Sequence, residues 1–263
     1  MTTIEPRESL TSTPSEDRVE RIHQAAHRIR LNALNMGEVQ GQGYIGQALG
    51  VADMLAVIYT DQLRHRPEDP HWPDRDRFLL SIGHYAIALY AALAEAGTIP
   101  VAELATYGSD GSRLPMSGMA SYTPGMEISG GSLGHGLAVA TGMALGLRHQ
   151  GNAARVYNLL SDGELDEGST WEAALQAAHH GLNNLTAIVD VNALQADGPT
   201  AGVLRTEPVT DKWRAFGWHA IRVDGNDIPA LVEAFDELAE HRGSPAVLVC
   251  DTRIGRGATH APR

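Results

Sequence analysis

The stretch SDGELDEGSTWEAALQAAHHGLNNLTAIVDVN, from Ser161 to Asn192, restricts what this chain can fold into more than any other part of it. Just ahead of it runs Val156-Tyr157-Asn158-Leu159-Leu160, short and apolar enough for a buried strand. Asp162-Gly163 is a turn signal that stops the run. The Ala-rich spacing and the acidic first turn predict a helix from Asp166 to His180, closed by Gly181. Leu185 to Val191 then reads as a second buried strand ending at Asn192. Strand, helix and strand in so short a span form a βαβ crossover, whose two strands are parallel.

That topology places Asp162 and Asn192 at the carboxyl ends of parallel strands, where open α/β sheets bind their ligands. A carboxylate and an amide oxygen suit Mg²⁺, a hard cation that commonly takes phosphate oxygens as co-ligands. Gly163 leaves room for backbone to approach a phosphate, and the helix N-terminus beyond it favours an anion. The residues thus fit a Mg²⁺-diphosphate site. They equally fit two ordinary βα turns, and spacing alone does not choose between these readings.

Wider features narrow the class. The chain has 263 residues, 43% of them hydrophobic, enough for one large α/β domain. We expect a disordered leader over 1–16 and a single domain over 17–263. No apolar run reaches the ~18 residues of a membrane span, and the first residues lack a signal peptide's apolar core, so a cytoplasmic location is expected. The net charge of −12 without a basic stripe argues against nucleic acid. A single cysteine, Cys250, in an apolar run, reads as a buried hydrophobe. The only lysine, Lys212, falls in an expected surface helix, a poor place for Schiff-base chemistry.

Further helices are expected over Asp17 to Met36, Ala48 to Asp61, Thr206 to Phe216 and Asp227 to His241, with strands over Trp218 to Val223 and Pro245 to Cys250. His23 and His27 lie four apart on the first helix without the Glu of a metalloprotease motif, and read as a polar face. Gly41 to Gly46 matches G-x-G-x-x-G literally, but a helix precedes it where the dinucleotide fingerprint needs a strand. Gly130, Ser132 and Gly134 match G-x-S-x-G, which offers a serine hydrolase with Ser132 as nucleophile. That reading needs a strand just before Gly130, where Pro124-Gly125 stands instead.

Ser161-Asp162-Gly163-Glu164, then Glu167-Gly168-Ser169-Thr170-Trp171-Glu172-Ala173 and HHGLNNLTAIVDVNALQADG, resembles the thiamine-diphosphate motif in its transketolase form. RDRFLLSIGH, up to His84, and GGSLGHG, from Gly130, resemble two further transketolase signatures. The likeness runs over residues 17–257 and corresponds to the diphosphate-binding third of a full transketolase. It implies the thiamine-diphosphate-binding fold, a mostly parallel sheet with helices on both faces. By resemblance, Asp162, Asn192 and the Leu194 carbonyl hold Mg²⁺. Gly163, Glu164, Gly131, Leu133 and His135 line the cofactor, and His84 lies at its diphosphate and reaction centre. Glu167 is implied in an acidic relay between paired sites, and His260 matches an active-site His. Tyr44 and Ser117 stand where the family has substrate-binding histidines, so the sugar is altered or the site inactive; Ile254 replaces a Lys.

The pyrimidine-binding domain, with the Glu that activates the cofactor, has no counterpart in the sequence. The resemblance therefore implies one subunit of a split transketolase, joined in an α2β2 heterotetramer with a separately encoded pyrimidine-binding subunit. Its expected reaction moves a two-carbon ketol unit from a ketose-like donor to an aldehyde through thiamine diphosphate. Decarboxylation of a 2-oxo acid with acyl transfer is the alternative with the same cofactor. A non-catalytic relative is a third, against which Asp162 and Asn192 speak.

Overall fold

A computed structural model describes residues 14–259. Most of the expected leader and all of the His260 assignment lie outside these residues. Within them, Ser15 already caps the first helix, α1 (Glu16–Gln40), by accepting from the Arg18 amide. The helix outruns its expected end and stops at Gly41, whose φ of 64° takes the left-handed form that glycine tolerates. A second helix, α2 (Ile45–Val57), follows at once and runs on as a wide turn over Ile58–Gln62. The glycine pattern of Gly41 to Gly46 is thus a helix–helix corner, as its context predicts.

The first strand, β1 (Arg77–Leu80), leads through a tight turn at Gly83–Tyr85 into α3 (Ala86–Glu95). A long irregular segment then reaches α4 (Gly136–His149). The crossover is as predicted in kind: β2 (Val156–Ser161), α5 (Gly168–His179) and β3 (Leu185–Val191), with β2 and β3 parallel. The α5 boundary differs at its start, because Asp162–Asp166 winds as a short 3₁₀ turn before the helix. Beyond β3 come a small hairpin of β4 (Leu194–Gln195) and β5 (Gly198–Pro199), then α6 (Thr200–Val203) and α7 (Val209–Ala215). Next are β6 (His219–Asp224), α8 (Ile228–Glu240) and β7 (Ala246–Asp251).

Five strands make one parallel sheet in the order β1-β2-β3-β7-β6. Handedness explains how the helices divide. The steps β1 to β2 and β2 to β3 advance in one direction, and right-handed crossovers put α4 and α5 on one face. The step from β6 back to β7 reverses direction, and α8 lands on the other face with α1, α2 and α3. Period-two alternation feeds both layers: Phe78, Tyr157, Leu159, Ile188 and Leu248 pack towards α1, α2, α3 and α8, whereas Leu79, Leu160, Val189 and Val249 pack towards α4, α5 and α7. Parallel strands covered on both faces are near-continuously apolar, as these are.

The register fixes one rim. Ser161 pairs with Asp190 and Val191 with Asp251, so the residues that leave β2, β3 and β7 emerge side by side.

Candidate functional site

Asp162 leaves β2 at that rim and is buried, 1% exposed. Its Oδ2 accepts from the Ala193 amide at 3.1 Å and from the Thr200 hydroxyl at 2.8 Å. The first of these bonds brings the Asp162 turn against the Asn192–Leu194 loop, thirty positions further along the chain. Ala193 takes a φ of 62° there, the one non-glycine residue at positive φ among the described residues. Burial pushes the Asp162 carboxyl up to about 6, offset by the Thr200 hydrogen bond, and the Asp190 charge adds to the rise.

Asn192 follows β3. Its Nδ2 donates to Asp190 Oδ2 at 2.8 Å and to the Tyr85 hydroxyl oxygen at 3.0 Å, and its Oδ1 accepts from the Leu194 amide at 3.0 Å. Asp190 is buried within the sheet, and burial pushes its carboxyl up against three opposing hydrogen bonds. Among the described residues no Arg or Lys pairs with Asp162, Asp190 or Glu164, although all three are 1% exposed. Buried carboxylates without a cationic partner are costly, and a bound cation relieves that cost. One carboxylate, one amide oxygen and carbonyls of an adjacent loop suit Mg²⁺ in kind. Among the described residues there is no group of three His, Cys, Asp or Glu placed for a metal, so a cation at this rim would draw on amide and carbonyl oxygens beside the carboxylate.

Glu164 turns inward. Its Oε1 accepts from the Ser81 hydroxyl and from the Gly134 amide at 2.8 Å, while Ser81 Oγ accepts from the Gly136 amide at 3.0 Å. This carboxylate therefore joins the end of β1, the loop before α4 and the Asp162 turn. Gly163, beside Asp162, is half-buried. The loop of Gly131, Leu133 and His135 lies close to the His84 turn, because a Cβ on Gly83 would stand 2.3 Å from the Gly130 carbonyl carbon. Only glycine allows that approach. His135 is exposed at the start of α4, and Leu133 packs against the core. Ser117 is exposed, and its hydroxyl donates weakly to the Gly130 carbonyl at 3.4 Å. Glu167 is exposed immediately before α5.

His84 sits between two aromatic rings, Tyr44 at 4.6 Å and Tyr85 at 4.8 Å, both edge-on. Burial lowers its pKa, so the ring is neutral near pH 7. Tyr44 stands immediately before α2, its side chain making no capping hydrogen bond, and is half exposed. The structure thus brings the two sequence-predicted positions into contact. Sequence reasoning missed Tyr85, Asp190, Thr200 and Thr252. A signal existed for Asp190, a charge inside the apolar run Leu185 to Val191, which demands a partner. Ser132 is exposed in a loop, and turns followed by irregular backbone, with no strand, occupy residues 120–129, so the nucleophile elbow is absent.

A family model described as transketolase, thiamine diphosphate binding domain, matches residues 22–262. The chain belongs to the transketolase family. Transketolases are transferases, and this chain carries their thiamine-diphosphate-binding domain. A putative uncharacterized transketolase family protein of Sinorhizobium fredii is 65% identical over 233 residues, 88% of this chain and 84% of that one. An apulose-4-phosphate transketolase subunit of Actinobacillus succinogenes is 40% identical over 92% of this chain and 87% of its own. The transketolase structure from Leishmania mexicana superposes with a TM-score of 0.87 at 34% identity, over 90% of this chain but 37% of that one.

Proposed function

We propose that this chain is the thiamine-diphosphate-binding subunit of a two-component transketolase, transferring a two-carbon ketol unit from a ketose-like donor to an aldehyde. The observation that carries the reading is the joining of Asp162 to the Asn192–Leu194 loop at one rim, among buried carboxylates that lack a cationic side chain. There Asp162, the Asn192 amide oxygen and the Leu194 carbonyl would hold Mg²⁺, and the backbones of Gly163 and Gly131 would meet the diphosphate. Bound thiamine diphosphate supplies the carbanion chemistry. The chain's own residues would bind, orient and handle protons: neutral His84 would take a proton at its free ring nitrogen and return it from the imidazolium so formed. Leu133 and His135 flank the cofactor in this reading, and Glu167, exposed before α5, faces a paired site. His260 remains a proposed participant from beyond the described residues.

Coverage supports a separate partner. The chain spans most of a relative named for its place in a multi-subunit transketolase, and little more than a third of a single-chain transketolase. We infer a separately encoded pyrimidine-binding subunit in an α2β2 assembly, located in the cytoplasm. No described helix is long and apolar enough to cross a membrane. Tyr44 beside His84, and Ser117 beside Gly130, support an altered sugar, because a phenol and a small hydroxyl replace two imidazoles.

Native mass spectrometry of the chain purified from its own cells, with Mg²⁺ and thiamine diphosphate, tests this. We expect a complex that holds bound cofactor and an equal number of copies of a second polypeptide. A cofactor-free oligomer of this chain alone would refute the reading. Asp162→Ala should abolish Mg²⁺ binding, and unchanged cofactor affinity in that variant would refute the metal assignment.

A further inference from the structure

Asp190 is a carboxylate at the carboxyl end of the central strand β3, 1% exposed. It is held by hydrogen bonds alone: Thr252 Oγ1 donates to Oδ1 at 2.5 Å, and Asn192 Nδ2 and the Tyr85 hydroxyl donate to Oδ2 at 2.8 and 3.1 Å. Every proton here has a place. Tyr85 gives its one hydroxyl hydrogen to Asp190 and accepts one from Asn192, so both amide hydrogens of Asn192 are committed to this side.

An ionised carboxylate only accepts, and so it selects the nitrogen end of a neighbouring amide. A flipped Asn192 would set its oxygen against Asp190 and its nitrogen against the Leu194 amide, acceptor on acceptor and donor on donor. With the amide in the observed orientation, Oδ1 is turned towards the loop that Asp162 binds. The same carboxylate reaches two other segments. Tyr85 adjoins His84, which touches Tyr44. Thr252 opens the segment that closes on α2, where the Gly255 amide donates to the Gly46 carbonyl at 2.7 Å, two residues past Tyr44.

We propose that Asp190 is the positioning residue of this site: it fixes the Asn192 amide with its oxygen towards the cation, and ties that orientation to the His84–Tyr44 wall through Tyr85 and Thr252. The proposal rests on the metal reading of Asp162 and Asn192. It adds that loading of the cation and the geometry of the substrate wall share one buried anchor.

The test uses Mn²⁺ as probe, titrated into the full chain with thiamine diphosphate and followed by electron paramagnetic resonance. Asp190→Asn keeps the shape but no longer selects one end of the amide, and Mn²⁺ should bind about tenfold more weakly or worse. Asn192→Asp alone sets two carboxylates face to face and should also weaken binding. The reversed pair, Asp190→Asn with Asn192→Asp, lets the amide at 190 donate to the carboxylate at 192, and should recover affinity to within a few-fold of the unsubstituted chain (about the scatter expected of one hydrogen bond). A purely structural role for Asp190 predicts no such recovery. Tyr85→Phe removes one of the two acceptors facing Asn192 and should cost roughly 2- to 10-fold, which keeps the idea testable if Asp190→Asn fails to fold. Full Mn²⁺ affinity in Asp190→Asn, with affinity lost in Asp162→Ala, overturns the proposal alone, as does failure of the reversed pair to recover. Undiminished Mn²⁺ affinity in Asp162→Ala, or no Mn²⁺ uptake by the unsubstituted chain, overturns the metal reading beneath it.

Discussion

At the scale of single residues, His84 shows how burial sets chemistry before any substrate arrives. Its ring is enclosed by Tyr44 and Tyr85, and the lost hydration disfavours the imidazolium. The consequence for stability has a definite direction. The unfolded ring takes up a proton near the ordinary value of about 6.5, the folded ring at lower pH. The stability contributed by this ring is therefore full above about 6.5 and is lost as pH falls through the folded value. Ring-proton resonances of His84, assigned by loss in His84→Gln, should titrate below the ordinary imidazole value of about 6.5. A midpoint at or above that value would show that the ring is not desolvated. At Asp227, whose side chain accepts from the Ala230 amide at the start of α8, Asp227→Ala should cost about 1 kcal/mol in urea denaturation.

Among the elements, the loops at the carboxyl rim depend on how closely backbones approach. Gly83 lies against Gly130 with no room for a methyl group, since the Cβ would stand 2.3 Å from both carbonyl atoms. Gly83→Ala must push the His84 turn away from the loop before α4. We expect a loss of about 1–3 kcal/mol from overpacking, together with weaker thiamine diphosphate binding by calorimetry. Gly168→Ala is the control: nothing lies within 4 Å of a Cβ there, so stability should change little. A Gly83→Ala variant as stable and as tight-binding as the control would show that the rim loops are free to separate.

For the molecule as a whole, the parallel sheet is the scaffold and its two covered faces supply the stability. Ile188 lies fully buried on the central strand β3, and Ile188→Ala should cost about 2–5 kcal/mol, read from the urea midpoint. Ligand linkage gives a second whole-molecule expectation. At a hundredfold excess over its dissociation constant, a cofactor that binds only the folded state adds about 2.7 kcal/mol. Thermal melts with Mg²⁺ and thiamine diphosphate should show this gain in the unsubstituted chain and not in Asp162→Ala. Equal gains in both would point to a binding site elsewhere.

Much of this was legible in the residues because periodicity and turn chemistry act locally. The β2–α5–β3 crossover, the rejection of Gly41 to Gly46 as a dinucleotide loop, and Asp162 and Asn192 at one rim all follow from short-range pattern and the geometry of parallel strands. The transketolase resemblance was equally a property of the string, carried by motifs such as SDGELDEG and RDRFLLSIGH. The strand order, with β7 between β3 and β6, was decided only in three dimensions, because each strand chooses its neighbour by packing on both faces. The inward turn of Glu164 and the anchoring of Asn192 by Asp190, Tyr85 and Thr252 were likewise tertiary. Their partners are distant in sequence, and only the folded sheet brings a buried carboxylate the donors that it must have.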